Sequence, residues 1–178
     1  MKFQIDGPFT MRRNNNGLIA RDPTQKQEFW NEVDDRGQGL SYACGCYVFV
    51  LHPSGGGPRP WYIGMTAKRD FRGECLQPHK INLYNDAMAG YNRAAPSLYF
   101  ISKLTGSGKQ FAKPSSNGHG DIKTLEDLLI GMAYARNQKL LNIRGTKFFK
   151  EAVVPGVMNS PKRKPHEAET SLRGILLP

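Results

Sequence analysis

The hydrophobic pattern breaks this chain into short apolar runs and one long helical stripe. Ala43 to Leu51 is rich in Val, Phe and Tyr, which predicts a buried strand. His52 to Pro60 is a string of turn-formers that cannot hold regular structure. Trp61-Tyr62-Ile63 predicts a second strand, paired with the first as an antiparallel hairpin with a long loop. Beyond Gly64 a helix is predicted from about Arg69, interrupted near Pro78 and resumed from His79 to Met88. Ser97 to Ile101 predicts a third strand. Ile122 to Asn137 gives the strongest helix, with Ile122, Leu125, Leu129, Met132 and Ala133 at helical spacing and Asp121 as its N-cap.

The remaining stretches are punctuation. Thr24 to Val33 predicts a short helix after Pro23, inside an N-terminal embellishment that spans residues 1–40. Gly106-Ser-Gly-Lys109 looks like a phosphate loop only superficially. A Walker A motif needs Gly and Ser or Thr where this chain has Lys103 and Gln110, so the segment reads as a turn. Asn159 to Pro165 is a basic, proline-interrupted linker, and Glu167 to Leu176 predicts a short closing helix. The expected organisation is therefore residues 1–40 as embellishment, 41–158 as the main domain, and 159–178 as linker and helix.

Composition narrows the function classes. At 178 residues the chain can bury a core without disulfide staples. No apolar run approaches the roughly 20 residues that cross a bilayer, and the first residues lack the apolar stretch of a secretory signal. A cytoplasmic, intracellular setting is expected, without membrane association. The three cysteines, Cys44, Cys46 and Cys75, make an odd count that argues against a disulfide framework. Zinc ligation by Cys44, Cys46, Cys75 and His79 is disfavoured, because Cys44-x-Cys46 is spaced too tightly for a structural zinc pair.

Charge adds a partner. The net charge is +10, yet residues 1–40 hold six basic and six acidic side chains. The whole excess lies later, and between Arg136 and Lys164 eight basic residues face one acid, Glu151. A localised basic surface suits a polyanion, most simply nucleic acid, with Lys162, Arg163 and Lys164 as candidate phosphate contacts.

Two local features carry candidate chemistry. Glu126 sits on the predicted helix beside Ile122, Leu129 and Ile130, which puts a carboxylate at the edge of an apolar stripe. Such a carboxylate is usually paired or bound to a metal. The hairpin carries Gly45-Cys46-Tyr47 and Tyr62-Ile63-Gly64, whose phenols can project from one face.

With Arg72 on the following helix, Glu126 on a later one and Asn142 within Leu140-Leu141-Asn142, these residues resemble the GIY-YIG nuclease family. The likeness spans about 100 residues, Gly45 to Asn142, with Cys46 in place of the usual Ile. It implies an α+β fold, a small three-stranded antiparallel sheet flanked by helices. It also implies a divalent-metal-dependent endonuclease that hydrolyses DNA phosphodiester bonds. In that scheme Glu126 holds Mg²⁺ or Mn²⁺, Arg72 neutralises charge on the phosphoryl oxygens, and Tyr47 is the general base. Tyr62 orients water or phosphate, and Asn142 braces the site. A free phenol has a pKa near 10, so Tyr47 needs positive charge from Arg72, the metal or Lys68. Many relatives carry His or Tyr four residues after the helix Arg. Here that position is Leu76, and His79 is the candidate substitute.

The rival reading is a catalytically inactive nucleic-acid-binding or interaction module on the same fold. Restriction, mobile-element and repair roles all remain open, as do a homodimer and a DNA-targeting partner protein.

Overall fold

The computed structural model describes residues 1–176 except Asn92 and Ile143. It comprises two compact units, Met1–Leu141 and Asn142–Pro178. The first is built on an open antiparallel sheet of four strands rather than the expected three. These are β1 (Phe3–Thr10), β2 (Gly45–His52), β3 (Arg59–Thr66) and β4 (Ala95–Lys103), in the order β1-β4-β2-β3. The extra strand comes from the segment expected to be embellishment. Phe3 pairs with Lys103 and Phe9 with Leu98, so β1 covers an edge of β4 that would otherwise leave its backbone groups unpaired. Phe3-Gln4-Ile5-Asp6 does alternate, but the run is only four residues long before Gly7-Pro8 breaks it, and the register shifts there.

Helices α1 (Pro23–Arg36), α2 (Phe71–Glu74) and α3 (Pro78–Met88) follow their local signals. Asp22 caps α1 by accepting the Gln25 amide, and Asp70 caps α2 by accepting the Gly73 amide. Strand alternation assigns Tyr47, Phe49, Tyr62, Leu98 and Phe100 to one face of the sheet, because directly opposed residues share a face. That face packs an aromatic core with Phe9, Phe29, Trp30, Phe71 and Tyr84.

The opposite face presents Cys46, Met65 and Ile101 to α4 (Gly120–Arg136), where they meet Ile122, Leu125 and Leu129. The stripe of α4 is rotated from the expected one. Met132 is exposed, and Ile130 is buried with Ile122 and Ala133. Asp121 is not the N-cap. It lies in the first turn, where it accepts the Ile122 amide and pairs with Lys103 at 2.8 Å. All three cysteines are free and buried. Cys44 and Cys46 donate to the carbonyls of Ala112 and Ile122, and Cys75 lies in the aromatic core.

The second unit contains α5 (Thr146–Glu151) and the expected closing helix, α6 (Glu167–Leu176). Asn159 ties its chain by donating to the carbonyls of Phe149 and Ala152. Among the described residues, no helix is long and apolar enough to cross a membrane.

Candidate functional site

The hairpin brings the two tyrosines together. Tyr47 stands opposite Gly64 in the register, and Tyr62 stands opposite Phe49. The rings of Tyr47 and Tyr62 lie with centroids 6.1 Å apart. A side chain at position 64 is impossible without moving Tyr47, because the Tyr47 ring occupies the space where its Cβ would sit. The glycine of Tyr62-Ile63-Gly64 thus has a steric reason: it lets a phenol lie across the edge strand.

The cation at this pair is neither Arg72 nor Lys68 but Lys80, on α3. Its Nζ donates to Tyr62 Oη at 2.6 Å and lies 4.7 Å and 5.9 Å from the Tyr62 and Tyr47 ring centroids. Glu74 Oε1 is 3.6 Å from the same ammonium. Sequence reasoning missed both. The available signal was Lys80 beside Ile81 and four residues before Tyr84, a charged residue on the apolar side of a helix.

Tyr47 is fully buried, and its Oη makes no hydrogen bond of acceptable geometry among the described residues. The Tyr84 phenol is its electrostatic neighbour and donates its own proton to the Cys75 carbonyl at 3.1 Å. Burial, then the neighbouring Tyr84, Cys75, Tyr62 and Glu74, push the Tyr47 phenol well above its ordinary value. This is opposite to the lowering expected for a general base, and Lys80 does not offset it.

The other candidates are spread more widely. Arg72 turns away from the tyrosine pair, donating to Tyr42 Oη at 3.0 Å and to Gln27 Oε1, on α1, at 2.5 Å. Glu126 lies on the α4 side, near enough to Cys46 to raise its thiol; burial is the larger cause, and together they take it to about 12. Its partner is Lys123 at 3.3 Å, which holds Asp127 more closely at 2.5 Å. His79 is exposed on α3. Asn142 opens the second unit, where its carbonyl accepts the Thr146 hydroxyl. Lys162, Arg163 and Lys164 are exposed there, with Arg163 held by both carboxylate oxygens of Glu169.

Lys68 lines a cleft of about 460 Å³ at the end of β3, with Arg69, Glu74, His119 and Lys123. His119 bridges Lys103 Nζ and the Lys113 carbonyl through its two ring nitrogens, so its Nδ1 accepts and its Nε2 donates. Burial is the largest single influence on the Asp121 carboxyl and pushes it up, but the hydrogen bond and charge of Lys103, together with backbone amides, outweigh it and hold the group below its ordinary value. The cleft is bounded by α2 on the tyrosine side and α4 on the other. It is where groups from the two faces come together.

Among the described residues, no group of three or more His, Cys, Asp or Glu gathers as for a metal ion. A magnesium-like ion needs only one or two carboxylates and fills its other positions with water and substrate phosphate. Glu126 fits that lesser requirement, since Lys123 has Asp127 as its closer partner and can leave Glu126 free.

No family model, no curated protein and no solved structure matches the chain.

Proposed function

We propose that this chain is a GIY-YIG-type endonuclease that hydrolyses DNA phosphodiester bonds with Mg²⁺ or Mn²⁺. The observation that carries the reading is the packing of Tyr47 across Gly64 beside Tyr62, which gives the two motif halves one spatial purpose. The cleft at the end of β3 supplies cations for a phosphate, Lys68, Arg69 and Lys123. Glu126 is the candidate ligand for the cation, which when bound would polarise the phosphoryl group. Lys80 holds the Tyr62 hydroxyl by donating to it, so that oxygen presents its own proton to substrate or water. Arg72 must leave Tyr42 and Gln27 to reach a phosphate, and Tyr47 must gain solvent access to move a proton.

Incubation with supercoiled plasmid, with Mg²⁺ or with a chelator, tests the reading. Nicked or linear product only with the metal is the expected result. Intact plasmid under both conditions would contradict it.

The inactive binding module is the second reading, and the engaged Arg72 together with the raised Tyr47 phenol favours it. It predicts duplex binding that weakens steeply with salt, as counterions released by Lys and Arg require, and no cleavage at any metal concentration.

A further inference from the structure

A second cleft lies away from the tyrosine pair. It has a volume of about 670 Å³ and is lined by Gln38, Tyr42, Lys109, Gln110, Phe111 and Lys113, among others, with no Asp or Glu among the described residues. Tyr42 ends a short 3₁₀ helix, Leu40–Tyr42, and is 54% exposed, a large aromatic surface for a side chain beside a core. Its ring is fixed rather than free. The Arg72 guanidinium lies 5.6 Å from the centroid and donates to the hydroxyl at 3.0 Å. Across the cleft, the turn between Leu104 and Phe111 is closed by the Thr105 amide donating to the Gln110 carbonyl, and it presents Lys109 and Gln110 outward.

We propose that this cleft binds an unpaired nucleotide of a nucleic-acid strand. The base stacks on Tyr42, Lys109 and Lys113 hold flanking phosphates, and the amides of Gln38 and Gln110 meet the base edge. Each part answers a separate need. A base offers its π-face only when it is out of a duplex, and an exposed, pre-oriented aromatic ring is the surface that such a face stacks on. Carboxamides carry both a donor and an acceptor, as base edges do. Two lysines without a competing acid favour an anion at the rim. The volume falls in the range of small-ligand sites. On this assignment Arg72, where it lies in this structure, is a positioning residue for Tyr42, and its departure to a phosphate would release the ring. The site rests on the reading of the chain as a nucleic-acid-acting protein, but it does not need the hydrolytic step.

The test is binding of a short single-stranded deoxyoligonucleotide carrying one 2-aminopurine, whose fluorescence falls on stacking, beside the same sequence as a duplex. Tyr42→Ala is expected to weaken single-strand binding about tenfold and abolish the quench, the scale of one lost stacking contact. Tyr42→Phe keeps both, and Tyr42→Leu replaces the alanine variant if that one does not fold. Lys109→Ala with Lys113→Ala is expected to flatten the salt dependence by about 1.4 in log–log slope, two single-strand phosphate contacts. Equal affinity and equal quench in wild type and Tyr42→Ala would overturn the site. Competition by free thymidine monophosphate near the oligonucleotide's own Kd would overturn the strand as ligand in favour of a free nucleotide. A wild-type protein that quenches the probe through Tyr42 yet leaves plasmid intact supports this site and overturns the hydrolytic reading. One that cuts plasmid but gives identical binding for wild type and Tyr42→Ala overturns this site alone.

Discussion

The two faces of the sheet are built differently. One is an aromatic block in which Phe9, Trp30 and Phe71 ring Phe100, and it closes over Tyr47 completely. The other is a small patch of Cys44, Cys46, Ala67, Ala112 and Ile122 under α4, and it leaves Ile5 exposed at the margin. The motif phenols lie on the first face, and the Glu126 carboxylate lies beside the second. The contrast teaches that a set of motif residues in the right order need not converge on one point of a folded chain. What joins the faces is the end of β3, where Glu74 and Lys123 line the same cleft.

Stability should follow that asymmetry. Phe100→Ala removes a fully buried ring from the aromatic block and should cost about 3–5 kcal/mol. Ile122→Val, on the α4 side, removes one methylene and should cost only about 0.5–1.5 kcal/mol. Chemical denaturation of both variants measures the difference. Equal losses would break the comparison.

Gly64→Ala should come next, at about 1–3 kcal/mol, because its new methyl group displaces the Tyr47 ring. The cost should shrink when Tyr47 is also changed to Ala, which a double-mutant cycle reads directly.

Alkaline pH sharpens the same face. Burial raises Tyr47, Tyr84 and Cys75 well above their ordinary values, so the folded protein keeps protons that the unfolded chain releases. Stability from these groups is complete below the unfolded values, near 9 for the thiol and 10 for the phenols, and is lost as pH rises past them. Melting temperature should therefore change little on their account around neutrality and fall from about pH 9 upward. A midpoint that rises through that window would contradict their burial. The smallest effect belongs to Lys123→Ala, whose exposed ion pairs should change stability by less than about 0.5 kcal/mol.

Much of this fold was legible because local signals agreed with the tertiary result. The hairpin, the interrupted helix around Pro78 and the closing helix from Glu167 to Leu176 all carry their own punctuation. The fourth strand was not legible. Gly7-Pro8 cuts its alternating pattern short, and its place depends on β4, which lies more than 80 residues later in the chain. Among the site residues, the pairing of Tyr47 with Tyr62 follows from strand alternation. The turn of Arg72 to Tyr42 does not, because a long flexible side chain chooses between partners that only the folded chain brings near. Lys80 was passed over because it belongs to neither motif half, although it is the cation that the tyrosines share.

The most direct measurement of the central claim is plasmid cleavage by Tyr47→Phe at saturating Mg²⁺, with thermal melting in parallel. The change removes only a buried hydroxyl that has no hydrogen-bond partner among the described residues, so the fold should be as stable as wild type or slightly more so. If Tyr47 is the base, the cleavage rate should fall by a factor on the order of 10². A stable Tyr47→Phe protein that cuts at the wild-type rate would contradict the assignment of the reaction to the tyrosine hairpin.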